Sequence, residues 1–354
     1  MAPRYHTLRV ADVRRETPEC ISVKFDLPPE LEPEYRFVQG QHIGLRATLD
    51  GEELRRSYSI CSGVDDGEIR VAIKKVGGGK FSQWANDALK IGDSIDVLTP
   101  EGGFFTTLDA AHGKHYVAFV AGSGITPVLS LIRTTLAREP RSRFTLVYGN
   151  RRQSSVMFHE ALEDLKDRYL TRFAMYNVFS REAQDVEIFN GRIDAIKVRE
   201  FLDSLLPADT IDEAFVCGPL TMIDEVETAL IAAGVPSNHV HIERFGIPSG
   251  VPQEVDDAGA AQSHIELIID GVRREVDFMP GQHSILDAGR AAGIDLPYSC
   301  KAGMCSTCRA KVIEGQVKMA KNYALESHEV EDGFVLTCQS FPLTDKVVLS
   351  YDAR

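Results

Sequence analysis

The chain has 354 residues, 44% hydrophobic and 26% charged, with a net charge of −13. That length predicts two or three domains, the balance is that of a globular protein, and the acidity argues against nucleic acid as a partner. No apolar run reaches the roughly eighteen residues a membrane span needs.

The first hundred residues read as strands. Short β-rich runs at 8–13, 20–27, 42–47, 57–60, 69–76 and 94–98 are separated by turn signals such as Asp50-Gly51 and Asp65-Asp66-Gly67. They predict a small antiparallel barrel over residues 1–110. On one of these strands lies Arg56-Ser57-Tyr58-Ser59. A guanidinium presents a planar fork to phosphate, and an aromatic face suits a flat, partly apolar ring. Gly77-Gly78-Gly79-Lys80-Phe81-Ser82 then leads into a helix start at 81–89, where glycines let backbone N–H groups approach a phosphate.

From about residue 113 the texture changes. Strands at 115–120, 143–148, 171–179 and 214–216 alternate with helices at 126–137, 158–166 and 220–233, the signature of a Rossmann-like parallel α/β domain over 111–246. Gly122-x-Gly124-x-x-Pro127 follows the first strand, with Thr126 suited to cap the helix and Pro127 to its first turn. The pair His112 and His115 reads as solvated surface rather than a metal site, because no matching carboxylate set accompanies it.

Residues 247–261 are rich in Pro, Gly and acid and read as a linker. Residues 262–354 follow: a hairpin at 264–278 around Asp270-Gly271, a helix at 284–292 with Ser284 as cap, then Cys300, Cys305, Cys308 and, after 29 intervening residues, Cys338. C-x4-C-x2-C with a distant fourth cysteine is the plant-type [2Fe–2S] spacing, and hairpin, helix, metal loop is a β-grasp order. A zinc site more often shows paired C-x2-C knuckles, and disulfides need an oxidising compartment. Cys20, Cys61 and Cys217 lie scattered, and the start, MAPRYH, has no apolar signal core; a reducing cytoplasm is expected.

The Arg56–Ser59 segment resembles the flavin motif of the ferredoxin–NADP reductase superfamily. The resemblance implies that Arg56 pairs with a flavin phosphate, Tyr58 packs on the isoalloxazine ring, and Ser59, beside Ser57, bonds near the hydride-accepting nitrogen. Gly79 to Ser82, with Gly78, Lys80 and Phe81, is similar to the family's FAD pyrophosphate turn, with FMN the alternative flavin. Gly122, Gly124 and Thr126 resemble its nucleotide pyrophosphate loop. Cys217-Gly218-Pro219 resembles its C-G-P segment, which places Cys217 with Ser59 near the hydride exchange. Ser180-Arg181 and Arg151 imply NADPH over NADH, and Phe245 is implied to cover the flavin. Leu296-Pro297-Tyr298-Ser299-Cys300, Met319, Asn322–Glu326 and Leu336-Thr337-Cys338-Gln339-Ser340 resemble the reductase components of phenylacetyl-CoA 1,2-epoxidases. That subfamily implies electron flow from NADPH through FAD and the cluster to an oxygenase docking near Lys301 to Ser306. Reductases of ketosteroid, alkane or aromatic oxygenases, a stand-alone oxidoreductase with a small acceptor, and a redox sensor are the competing readings.

Overall fold

The first sheet closes on itself, with its strands paired in a non-sequential order. In the computed structural model, which describes residues 3–245, 262–279 and 281–353, β1 (Tyr5–Thr17), β2 (Cys20–Asp26), β3 (His42–Leu49), β4 (Glu52–Ser59), β5 (Ile69–Lys74) and β6 (Ser94–Leu98) run β4-β3-β6-β1-β2-β5. An Ile60–Val71 bridge joins the two edges, giving an antiparallel barrel filled by Val10, Val23, Ile43, Leu45, Val71 and Val97. Helix α1 (Lys80–Ala88) plugs one end with buried Phe81 and Ala85.

The second domain is a five-stranded parallel sheet. Strands β7 (His115–Ala121), β8 (Arg143–Asn150), β9 (Phe173–Phe179), β10 (Glu213–Gly218) and β11 (Val240–Arg244) lie in the order β11-β10-β7-β8-β9. Helices α2 (Ile125–Arg138), α3 (His159–Arg168), α4 (Ala195–Ser204) and α5 (Leu220–Ala232) connect them. The central strands read as continuous apolar runs because both sheet faces are covered. Order reverses between β7 and β10, so a crevice opens at their carboxyl ends.

Two expectations in this domain are overturned. Thr126 does not cap its helix: α2 begins a residue earlier, after Gly124, and the Thr126 hydroxyl donates to the Ser123 carbonyl at 3.0 Å from inside the first turn. His115 is buried, not solvated. With Nδ1 protonated it donates to the Thr210 carbonyl at 3.0 Å, and Nε2 accepts from the Thr145 hydroxyl at 2.8 Å. His112 instead reaches Glu139 at 2.9 Å, so the two imidazoles serve separate hydrogen-bonded junctions.

The third domain is a β-grasp sheet. Its strands are β12 (Ser263–Ile269), β13 (Val272–Phe278), β14 (Arg309–Glu314), β16 (Phe334–Leu336) and β18 (Lys346–Ser350), in the order β13-β12-β18-β14-β16. Helix α6 (Ile285–Ala291) packs across it, and β15 (Val317–Met319) pairs with β17 (Ser340–Pro342) at its side. The Ser284 hydroxyl accepts from the Asp287 N–H at 3.1 Å and caps α6. The segment read as a linker, 247–261, falls outside the described residues. Among the described residues no helix is long and apolar enough to cross a membrane.

Candidate functional site

Strand β4 carries the first half of the site. Antiparallel pairing sets Ser59 opposite His42 and Ser57 opposite Gly44, and strand alternation places Ser57 and Ser59 on one face. A cavity of about 350 Å³ opens there, walled by His42, Arg56, Ser57, Ser59, Glu243 and Phe245, with Cys300, Met304 and Cys305 on its far side. Ser57 Oγ, Ser59 Oγ, His42 Nε2 and Glu243 Oε2 are all buried without a hydrogen-bond partner. Buried polar atoms normally find partners, so four orphans around one cavity fit a flat ring with several polar edge atoms, which a flavin has. Burial, and then the neighbouring Cys305, push the Glu243 carboxyl up to about 8, so near neutrality it holds a proton.

Of the other residues of the flavin motifs, Arg56 lines the cavity's rim, and Tyr58 and the 78–82 turn stand beside it. Tyr58 packs on Phe81 at 5.8 Å between ring centroids. Arg56 is exposed, its guanidinium donating to the Arg55 carbonyl. Gly78 takes a positive φ of 75°, Gly79 precedes α1, and Lys80 pairs with Glu52. Phe81 is core. The Ser82 hydroxyl accepts from Val76 N–H and donates to the Gly79 carbonyl, both at 3.1 Å, which fixes the glycine turn from within.

The cluster loop runs from α6 to β14. Lys301, Gly303 and Ser306 all have positive φ, and this curls the backbone so that its donors face the sulfurs. Ala302 N–H and Met304 N–H point at Cys300 Sγ at 3.3 and 3.4 Å, and Cys300 N–H at Cys305 Sγ at 3.5 Å. A Cβ on Gly303 would stand 2.9 Å from the Lys321 carbonyl oxygen. Cys308 and Cys338 are brought together because the Thr337 N–H and hydroxyl both donate to the Cys308 carbonyl, at 3.1 and 2.9 Å. The thiols therefore stand as two interacting pairs, Cys300 with Cys305 and Cys308 with Cys338. Among the described residues no three such ligands converge on a single ion position. Zinc needs four donors about one point; two pairs fit two irons. The side of the loop bearing Met304 and Cys305, expected to meet an oxygenase, looks inward across the cavity at the flavin motif.

A larger crevice of about 900 Å³ occupies the switch point of the parallel sheet. It gathers Gly122, Arg151, Ser180, Arg181, Gly218, Pro219 and Phe245, all expected from the sequence to meet cofactor. Gly124 and Cys217 lie behind its wall. A Cβ on Gly124 would stand 2.1 Å from the Cys217 carbonyl oxygen, so this glycine serves loop-to-strand packing. Burial pushes the Cys217 thiol up, and the adjacent Glu243 adds to that. Phe245 is common to both cavities.

Sequence reasoning missed four residues here. Lys74 ends β5 with Nζ 3.5 Å from a Cβ position on Gly122, and Arg192 faces the crevice. His42 and Glu243 line the smaller cavity. Glu243 stands two residues before Phe245, and its signal was a carboxylate near the end of a strand. Lys74 and His42 carried no local signal, since only pairing with distant strands aims them.

Family models match the chain in three places: an oxidoreductase FAD-binding domain over residues 7–105, an oxidoreductase NAD-binding domain over 119–228 and a 2Fe-2S iron-sulfur cluster binding domain over 267–343. With the two cavities and the cysteine pairs they define an NAD(P)H-dependent iron–sulfur flavoprotein reductase, which transfers electrons through FAD and a [2Fe–2S] cluster. The chain belongs to a ferredoxin–NADP reductase-type family that includes a component of the 1,2-phenylacetyl-CoA epoxidase from Escherichia coli (strain K12). It is 44% identical to that component over 99% of its own length and 98% of the relative's. It is also 32% identical to the ferredoxin reductase component of 3-ketosteroid-9-alpha-monooxygenase from Rhodococcus rhodochrous, over 97% of this chain and 96% of the relative. Phthalate dioxygenase reductase shares the three-part fold, at a TM-score of 0.59 and 23% identity over 98% of both chains.

Proposed function

We propose that this chain supplies NADPH-derived electrons to the oxygenase component of a phenylacetyl-CoA epoxidase. The observation that carries the route is the single cavity in which Ser57, Ser59 and Phe245 face Cys300 and Cys305. The partner follows from full-length similarity to an epoxidase component. When bound, FAD accepts hydride and releases electrons singly, and the cluster carries one at a time.

The chain's residues divide the remaining work. Ser57 and Ser59 hold polar edge atoms of the flavin, and Arg56 with the Gly78–Ser82 turn receives its phosphates. Glu243 holds a proton at the cavity wall, and Phe245 screens the ring from water until nicotinamide arrives. Gly122, Gly218 and Pro219 shape the nucleotide crevice, with Lys74 above the pyrophosphate loop. Cys217, buried behind Glu243, acts as a positioning residue. Arg151, Ser180, Arg181 and Arg192 gather at its outer end, which favours a 2′-phosphate. Cys300, Cys305, Cys308 and Cys338 hold the cluster, and the oxygenase docks on the outward side of the loop near Ser306 and exposed Tyr323. None of the seven cysteines is in a disulfide, which suits a reducing cytoplasm.

Anaerobic titration with NADPH, followed by visible and EPR spectra, tests the route; bleaching of flavin followed by a reduced [2Fe–2S] signal is expected. Adding the epoxidase oxygenase component and phenylacetyl-CoA under air should then couple NADPH oxidation to product. An absent cluster signal, or full NADPH turnover with no product, overturns the reading.

A further inference from the structure

One arginine of the barrel has its charge satisfied largely by the ferredoxin domain. Arg55 lies on β4, and its side chain is 5% exposed. Its Nη2 donates to Asp295 at 3.0 Å, its Nη1 to the Leu296 carbonyl at 3.3 Å, and its Nε to Glu53 of its own strand at 2.9 Å. The guanidinium also stacks on the Tyr298 ring at 4.3 Å and lies 5.1 Å from that of Tyr5. Every side of the fork is used, and two of its three hydrogen-bond partners are more than two hundred residues away in sequence.

Weaker contacts flank it. Arg46 reaches Asp295 at 3.7 Å, Arg4 reaches Asp270 at 2.8 Å, and the Tyr5 hydroxyl lies 3.5 Å from the Tyr298 carbonyl. The two arginines are more exposed than Arg55, and exposed ion pairs contribute little. The buried, forked and stacked contact is the one able to hold an orientation.

Arg55 stands where two connections meet. Strand alternation puts Arg55, Ser57 and Ser59 on one face of β4, successive members about 7 Å apart. On the other side, Asp295, Leu296 and Tyr298 lie within five residues of Cys300. The rigid strand that presents the flavin hydroxyls therefore also grips the segment entering the cluster loop, and Cys300 and Cys305 face the flavin cavity.

We infer that Arg55 is a positioning residue for flavin-to-cluster electron transfer, holding the Asp295–Tyr298 segment so that the Cys300–Cys305 side of the cluster faces the flavin. The inference rests on the flavin and cluster placements proposed above. The step it serves moves one electron from reduced FAD to the oxidised cluster, NAD(P)H having supplied the pair as hydride. No proton or bond changes hands at Arg55, so its effect is on the gap and orientation across which the electron passes.

The test uses the full holoenzyme and two variants. Asp295→Lys changes a side chain that is 70% exposed and so spares the fold, while Arg55→Met keeps the stem and removes the fork. Stopped flow with NADPH separates flavin reduction from cluster reduction, and small-angle X-ray scattering reports domain arrangement. For Asp295→Lys the expected result is flavin reduction at the wild-type rate, flavin-to-cluster transfer slower by about tenfold or more, and a larger radius of gyration. Arg55→Met should show the same slowed transfer and expansion. Wild-type transfer rates in both variants overturn the inference. So does slowed transfer with unchanged scattering and a shifted cluster potential, because the contact then tunes the cluster instead of placing it. Failure of the proposed route itself is separately visible, as absence of a reduced cluster signal in the wild type.

Discussion

Single residues in this chain are defined by what buries them more than by their local pattern. His112 and His115 stand three apart near a domain junction and look alike in sequence, yet one meets Glu139 and the other is enclosed between Thr145 and Thr210. Burial, and then the Arg143 charge, lower the His115 pKa to about 4. The unfolded chain binds a proton at the ordinary value of 6.5, so between about 6.5 and 4 the unfolded state holds more protons than the folded one. The contribution is therefore fully present above about pH 6.5 and is lost as pH falls, with a ceiling of about 3 kcal/mol. Urea unfolding monitored at pH 7 and pH 5 should give a clearly lower midpoint at pH 5. His115→Gln should reduce that difference. An equal difference in wild type and variant would mean that other groups, such as the low-lying carboxyls of Glu139 and Glu213, carry the pH response.

Elements were legible where burial is two-sided and obscure where it is not. The central strand β7 is an unbroken apolar run in the sequence because helices cover both faces. Only the end of β4 reads as strand in the sequence, since Glu52, Glu53 and Arg55 look like a charged loop; its pairing with β3 along the whole length overrides that composition. The same blindness hid Arg55, whose charge is satisfied across a domain boundary. The cysteine loop is legible as a [2Fe–2S] loop because chemistry, not packing, sets its spacing. The ends of β8 and β9 fall between these cases. Arg151 and Arg181 are exposed there beside Ser180, and among the described residues neither guanidinium has an ion-pair partner. Each charge-assisted bond to a 2′-phosphate is worth about 1.5–3 kcal/mol. Arg181→Gln should therefore lower kcat/KM for NADPH by about tenfold or more while leaving that for NADH nearly unchanged. A wild-type kcat/KM favouring NADH would remove the basis for assigning these arginines to a phosphate.

At the scale of the whole molecule, the barrel cavity proposed for the flavin adjoins both the crevice of the parallel sheet and the cysteine loop. Phe245, the last described residue of the nucleotide domain, lines both cavities, while Cys300 and Cys305 line only the smaller one; on the proposed reading the nucleotide and the cluster therefore reach the flavin through different walls. This arrangement separates the two half-reactions, and a single substitution can divide them. Cys305 is buried, lies on the cavity's far side and belongs to one of the two thiol pairs. A hydroxyl in its place is a poor ligand for iron, whereas the nucleotide crevice does not include this residue. Cys305→Ser should therefore bleach with NADPH at close to the wild-type rate, lose or alter the [2Fe–2S] EPR signal, and deliver no electrons to an oxygenase. Rapid-mixing spectra and an oxygenase-coupled assay on the same preparation measure both halves. If the variant reduced the oxygenase as fast as wild type, electrons would be leaving directly from the flavin side. If flavin reduction failed as well, the cluster loop would be holding the flavin cavity together, and the two half-reactions would not be separable.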